Sequence, residues 1–412
     1  MANILIIGNG FDLYHNLPTR YTDFMTFAEY WDDFYKNYEP PTQGVNFSNK
    51  KIKLCEYKDG NYQKVLGENI KLTKEIVAGF AFYKGVYDET NIEFLNKNLK
   101  NNKWIQYFEK TGYKKEGWID FEREIESVLK KVEIYFDEIL PKIEEINRIS
   151  EKVYISKYIN SYYKEIFKLF ECKDFELAPY TGDVSNIKQN VKIQDREINN
   201  QFNRPKQKKI LLDKMKKELD TLIKCFRIYT MEFIERLEIT KECDKIKNLG
   251  KLLVLNFNYT NTFERKYKDQ LVEMCYVHGS IKDDNLVMGV SDDFIENNDY
   301  IYFQKFFQRI QKRTGIEYKD FLKKGYNVYA GITAEVYIMG HSLDKTDKGV
   351  LEKFFDEKYK VNIFYHAQWA YEEQVIKLVE MFGKERIIDA VAKKEIEFID
   401  LNKKESKDLE PN

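Results

Sequence analysis

Apolar residues fall in short unbroken runs at both ends of the chain and at helical spacing through its middle. Ile4 to Ile7 form one such run, and it ends in Gly8-Asn9-Gly10-Phe11-Asp12. A run of this length closed by a glycine turn reads as a buried strand. The next helix is expected to start near Thr22-Asp23. Residues 36–117 are polar, rich in Asn and Lys and weakly periodic, so they read as loops and short elements. From residue 118 the period becomes helical. Phe121, Ile125, Val128, Val132 and Phe136 are spaced by three and four, and so are Leu212, Met215, Leu219, Leu222, Phe226, Phe233 and Leu237, or nearly so. Each set is one face of an amphipathic helix whose other faces carry Lys and Glu. Residues 175–205 hold Pro, Gly, Asn and Gln and read as an exposed loop.

After Lys251 the unbroken runs return. "LLVLNF", "EMCYV", "NLVMGV", "EVYIM" and "KVNIFY" read as strands, alternating with helical patterns. That alternation predicts an α/β fold with a mostly parallel, Rossmann-like sheet flanked by helices. The predicted organisation is a split nucleotide-binding domain, 1–35 plus 250–400, interrupted by an insertion at 36–249. The insertion is loop-rich over 36–117 and helical over 118–249.

Composition removes several functions. The 412 residues carry 67 Lys and Arg against 68 Asp and Glu, a net charge of -1. That balance supplies no general attraction to nucleic acid. Cys55, Cys172, Cys225, Cys243 and Cys275 are scattered and form no Cys-x-x-Cys pair. The pattern argues against a disulfide framework and a structural zinc and for a reducing compartment. No window approaches the ~20 apolar residues of a membrane span. The expected location is the cytoplasm, without membrane contact. With 30 Tyr and 29 Phe, aromatic residues serve mainly the core.

In an open α/β sheet, ligands sit outside the carboxyl ends of the strands. The residues that follow the predicted strands are therefore the candidates. They are Gly8, Asn9, Gly10 and Asp12; Asn258, Tyr259, Thr260 and Asn261; His278, Gly279 and Ser280; Gly340, His341, Ser342 and Asp344; and His366. Three of the four histidines (His15 is the exception) stand at such ends. No His-x-x-x-His spacing supports a metal, and none is expected. A dinucleotide fingerprint would place a third glycine at position 13, which is Leu13. Asp344 and Asp347 read as caps of the following helix.

In this order the motifs resemble those of sirtuin (SIR2-like) proteins. Gly8-Asn9-Gly10-Phe11-Asp12 and Pro18-Thr19-Arg20 resemble the first family motif. "NFNYTNTFER" resembles the second and keeps Asn258, Glu264 and Arg265 in register. His278-Gly279-Ser280 resembles the third, and Gly340-His341-Ser342-Leu343 the fourth. The closer resemblance is to the bacteriophage abortive-infection AbiH family. It rests on "LIIGNGFDLYHNLPTRYTDF", "WIDFE", "NFNYTNTFE", "HGS" and "MGHSLDKTDKGVL".

The resemblance implies a SIR2/DHS-like sheet and an antiphage protein that hydrolyses NAD to nicotinamide and ADP-ribose. Asn258 is then the residue that places water and ribose, and His278 the one that takes a proton. Gly8, Asn9, Gly10, Phe11, Asp12, Arg20, Tyr259, Thr260, Gly279, Gly340, His341 and Ser342 become the nucleotide-binding set. The glycines would cradle the pyrophosphate, and His341 and Ser342 would face the adenine-side ribose. Asp12 would cap the helix after it or bond the nicotinamide amide or ribose. Departures accompany the likeness: Asn9, Asp12 and Thr260 stand where sirtuins have Ala, Ser and Asp. The zinc cysteines are absent, so protein deacetylation is not implied. Two alternatives stay open, a sensor that binds NAD or ADP-ribose without cleaving it and a ribonuclease-type toxin. The implied partner is a small-molecule nucleotide, and a phage-derived trigger and a homo-oligomer also stay open. Trp118, Asp120 and Glu122 match the AbiH pattern without receiving a role.

Overall fold

The computed structural model describes residues 2–36, 87–111, 119–139, 166, 168–170, 204–239, 241–291, 294, 297–324, 326–327, 332–355 and 359–403. Six strands form one parallel sheet: β1 (Asn3–Ile7), β2 (Leu252–Asn256), β3 (Leu271–Tyr276), β4 (Val336–Met339), β5 (Val361–Tyr365) and β6 (Ile396–Asp400). Their spatial order is 3-2-1-4-5-6, that of a doubly wound nucleotide-binding sheet. Ile7 lies opposite Asn256 on one side and Met339 on the other, so β1 is central and β1/β4 is where the winding reverses. The expected Rossmann-like α/β architecture is therefore present.

The strand sequences are apolar throughout because both faces are covered. Ile4, Ile6, Leu253, Leu255, Val336, Ile338 and Ile363 pack into one core beneath the sheet. Leu5, Ile7, Leu252, Val254, Met339 and Phe364 pack into another on the opposite face. Alternate residues of a strand point to opposite faces, which sorts each run between two cores. β6 was not apparent in the sequence because "IEFID" carries charges, as a half-covered edge strand can.

A third core belongs to the helices. The described chain between β1 and β2 is mainly helical and includes α1 (Asn9–Tyr14), α2 (Tyr21–Glu29), α3 (Phe121–Ile134) and α4 (Arg204–Ile228), besides shorter helices such as Trp31–Lys36, Glu89–Asn98 and Lys103–Lys110. Phe24 and Phe27 of α2 join Phe121, Ile125, Val128 and Val132 of α3 and Leu212, Met215, Leu219, Leu222 and Phe226 of α4 in that core. Phe121 is sandwiched between Tyr21 at 4.2 Å and Phe108 at 4.3 Å. Asp120 starts α3 by accepting from the amides of Glu122 and Arg123.

The helix expected near Thr22-Asp23 is present and starts at Tyr21, and two other expectations change. A short helix precedes it, starting at Asn9 within the glycine turn itself. "NLVMGV" is not a strand of the sheet. Leu286, Met288 and Val290 pack into the helical core, and the segment makes one isolated bridge, Val290 to Gln304. A short apolar run fits a core-lining loop as well as a strand, which is why periodicity misread it. Residues 37–86, Trp118 and 171–203 lie outside the described residues.

Candidate functional site

The first contact at the switch point is between two loops. Gly8 and Gly10 follow β1, and Gly340 and His341 follow β4. A Cβ on Gly8 would lie 2.6 Å from the Cα of His341, and one on Gly10 would lie 2.7 Å from the Cα of Gly340. Gly340 has φ +69°, and its Cβ would meet the Phe11 amide at 2.1 Å. The Gly8 amide donates to Met339 O at 3.2 Å and the Gly10 amide to Gly340 O at 2.7 Å. The glycines thus permit close backbone approach, and the two amides expected to meet a phosphate are engaged within the chain. Phe11 is also not a ligand contact. It is 0% exposed and packs on His15 at 4.4 Å and on Phe263 and Tyr267, because the first turn of α1 points it into the core.

The next strands bring the polar side chains. Asn256 lies opposite Tyr276, so Asn258 and His278 stand two residues beyond the ends of adjacent strands at one level. Asn258 is 6% exposed, and its Nδ2 donates to Gly8 O at 2.9 Å. That bond leaves Oδ1 to accept. The ring of Phe257 lies edge-on to His278 at 5.4 Å and to His341 at 4.3 Å.

Both histidines meet Asp347. His278 Nε2 is 3.0 Å from Asp347 Oδ1, and His341 Nε2 is 3.5 Å from Oδ2. The Leu343 amide donates to His341 Nδ1 at 2.9 Å, so the proton of a neutral His341 is on Nε2. Burial lowers the His278 imidazole to about 4, with Asp347 opposing and Lys305 and Arg309 adding to the effect. His278 is neutral at pH 7, with its proton facing Asp347 and its lone pair on Nδ1.

Lys305 opens helix α5 (Lys305–Lys312) and is 0% exposed. Its Nζ lies 2.9 Å from Asp347 Oδ1 and 2.7 Å from Glu122 Oε2. Burial alone would lower the lysine, but Asp347 and Glu122 overcome it and hold the ammonium charged. Burial likewise opposes ionisation of Asp347, yet Lys305 and His278 hold it well below the usual carboxylate range. Glu122 is different: burial pushes it up to about 7, against the pull of Lys305 and with help from Asp120 and Asp347. Asp347 was expected as a cap. Asp344 does accept from the Thr346 amide, whereas Asp347 is turned to the histidines and Lys305.

A second buried carboxyl lies across the β2 end. Asp12 is 1% exposed, and Thr260 Oγ1 donates to its Oδ2 at 2.7 Å. Its Oδ1 is buried and accepts no hydrogen bond among the described residues. Burial raises Asp12 to about 7; the Thr262 and Thr260 hydroxyls oppose this and the Glu235 charge adds to it. Asp12 lies inside α1 and does not cap it, since the cap position is Gly8.

The other expected residues have other contacts. Tyr259 donates to Val287 O at 2.9 Å and packs on Phe226, which ties the β2 loop to the helical core. Gly279 has φ +78° and sits against Asn285 O, so it shapes a turn. Asn9 and Ser342 are exposed, and Arg20 is half-buried at the start of α2. Asn9 Oδ1 accepts from Thr19 Oγ1 at 2.5 Å. His15 bridges Phe11 O and Tyr267, and His366 is exposed beside Trp369. Sequence reasoning missed Lys305 and the role of Asp347. A lysine on an amphipathic helix gives no signal of its own.

The site is closed: Asn258, His278, His341 and Asp12 are each no more than 6% exposed. A cavity of about 200 Å³ opens elsewhere, between Phe355, Phe382, Ile387 and the amino ends of β5 and β6. Among the described residues, no three His, Cys, Asp or Glu are grouped to hold a metal ion, and no helix is long and apolar enough to cross a membrane. No curated protein and no solved structure matches the chain. The family model described as bacteriophage abortive infection AbiH matches residues 4–367. With the greater part of its length matched, the chain belongs to the AbiH family of bacteriophage abortive-infection proteins.

Proposed function

We propose that this abortive-infection protein cleaves the nicotinamide–ribose bond of NAD, a SIR2-like activity. The observation that carries the reading is the pairing of Asn258 with an Asp347-oriented His278 at the carboxyl edge of the sheet. The bond that breaks is C1′ to the pyridinium nitrogen. Its electron pair neutralises the leaving nicotinamide, and water adds to an oxocarbenium-like carbon. Asn258 Oδ1 can accept from a ribose hydroxyl or the water, without bringing a charge near the cationic carbon. His278 Nδ1 can take the water proton, and Asp347 stabilises the imidazolium that results. The Oδ1 of Asp12, which accepts no hydrogen bond among the described residues, offers a further acceptor for the nicotinamide amide.

The reading rests on these acceptors and not on the glycine turn, because the Gly8 and Gly10 amides are already bonded. Substrate reaches these side chains only when a covering element moves, which would keep a cell-damaging reaction off until it is triggered. One observation favours a sensor that binds without cleaving: Thr260, where sirtuins have Asp, is engaged by Asp12. Incubating purified protein with NAD separates the two readings. Hydrolysis releases nicotinamide and ADP-ribose in equal amounts. Intact NAD together with measurable ADP-ribose binding would establish the sensor instead.

A further inference from the structure

Lys305 is a fully buried cation between two carboxylates that come from different parts of the molecule. Glu122 lies on α3 of the helical insertion, and Asp347 lies beyond β4 of the sheet. Taking such a group out of water costs several kcal/mol, and apolar side chains often replace buried ion pairs without loss of stability. Stability is therefore a poor reason for this lysine. Its geometric consequence is specific: it holds a carboxylate that both His278 and His341 face.

We propose that Glu122 and Lys305 are positioning residues for His278. Anchored by Glu122, the ammonium fixes the Asp347 carboxylate, and the carboxylate fixes the imidazole with its proton on Nε2 and its lone pair on Nδ1. The helical insertion thereby supplies part of the site. This assigns a task to the glutamate of "WIDFE", whose aspartate caps α3. The groups facing His278 are Asp347 beyond β4, whose other oxygen His341 meets, Lys305 and Arg309 on α5, and Phe257 and Tyr259 beyond β2. Glu122 acts from behind Lys305.

The test is NMR titration of histidine-labelled, ligand-free protein. The chain has four histidines, so each signal is assigned by substitution. His278 is expected as the Nε2–H tautomer, with a small movement near pH 7 as Glu122 ionises and protonation only near pH 4. Glu122→Gln still accepts from Lys305 but cannot ionise, so the movement near pH 7 disappears while the tautomer persists. Lys305→Met removes a cation that opposes protonation, and proton affinity at His278 rises about tenfold or more. Should Lys305→Met not fold, Glu122→Gln decides alone. A movement near pH 7 that persists in Glu122→Gln made in an Asp12→Asn background, where the other carboxyl raised to about 7 is silent, overturns the proposal, as does a His278 titration unchanged in Lys305→Met.

Only the kinetic arm rests on the hydrolase reading. There Glu122→Ala lowers kcat about tenfold or more with little change in KM, and Glu122→Gln restores most of it. A wild-type protein that releases no nicotinamide removes the hydrolase reading, while the NMR titration still decides the positioning role.

Discussion

Asp12→Asn should stabilise the protein at pH 8 and leave it nearly unchanged at pH 4. Burial raises this carboxyl from 3.8 to about 7, with the Thr262 and Thr260 hydroxyls opposing. Well below pH 3.8 the group is protonated in both the folded and unfolded states and contributes no difference. As pH rises through 3.8 the unfolded chain ionises and the folded chain does not, so stability falls until the folded group ionises near pH 7. Each pH unit in that window is worth about 1.4 kcal/mol, for a total of about 4 kcal/mol. An Asn of the same shape accepts from Thr260 and carries no such penalty. Between pH 5 and pH 8, the stability gap between Asp12→Asn and wild type should widen by about 3 kcal/mol. Urea unfolding at several pH values measures it as a midpoint difference on the order of 1 M. A gap that stays constant with pH would refute the reasoning, because it would mean that Asp12 is already ionised in the folded protein.

Other expectations follow from single contacts. Asn258→Ala and His278→Ala should each lower nicotinamide release by about 10²–10⁴ with the fold intact by circular dichroism. Gly340→Ala should lower the melting temperature clearly, since φ +69° strains a side chain and its Cβ would lie 2.1 Å from the Phe11 amide; an unchanged Tm would show that the two loops separate freely. Phe121→Ala, which removes a ring stacked between Tyr21 and Phe108, should cost about 3–5 kcal/mol in denaturant unfolding.

Five of the six sheet strands and the long helices were legible in the sequence. Ile4–Ile7 and Leu252–Leu255 are apolar at every position, as a strand covered on both faces requires. The faces of α3 and α4 were legible for a matching reason, since spacings of three and four record one buried side. The motifs at Asn258, His278 and His341 could be placed because residues that follow parallel strands share one edge. Tertiary structure alone decided what those residues touch. Glu122, Lys305 and Asp347 are far apart in sequence, and each looks like an ordinary solvated or capping charge in its own segment. Their meeting depends on how α3 and α5 dock over the ends of β3 and β4, which no local period encodes. Phe11 shows the same limit at short range. Its place in "GNGFD" suggested a ligand contact, but α1 begins two residues before it, and the first helical turn carries its ring into the core. The glycines beside it record an approach between the two loops, a contact that forms only when β1 and β4 pair.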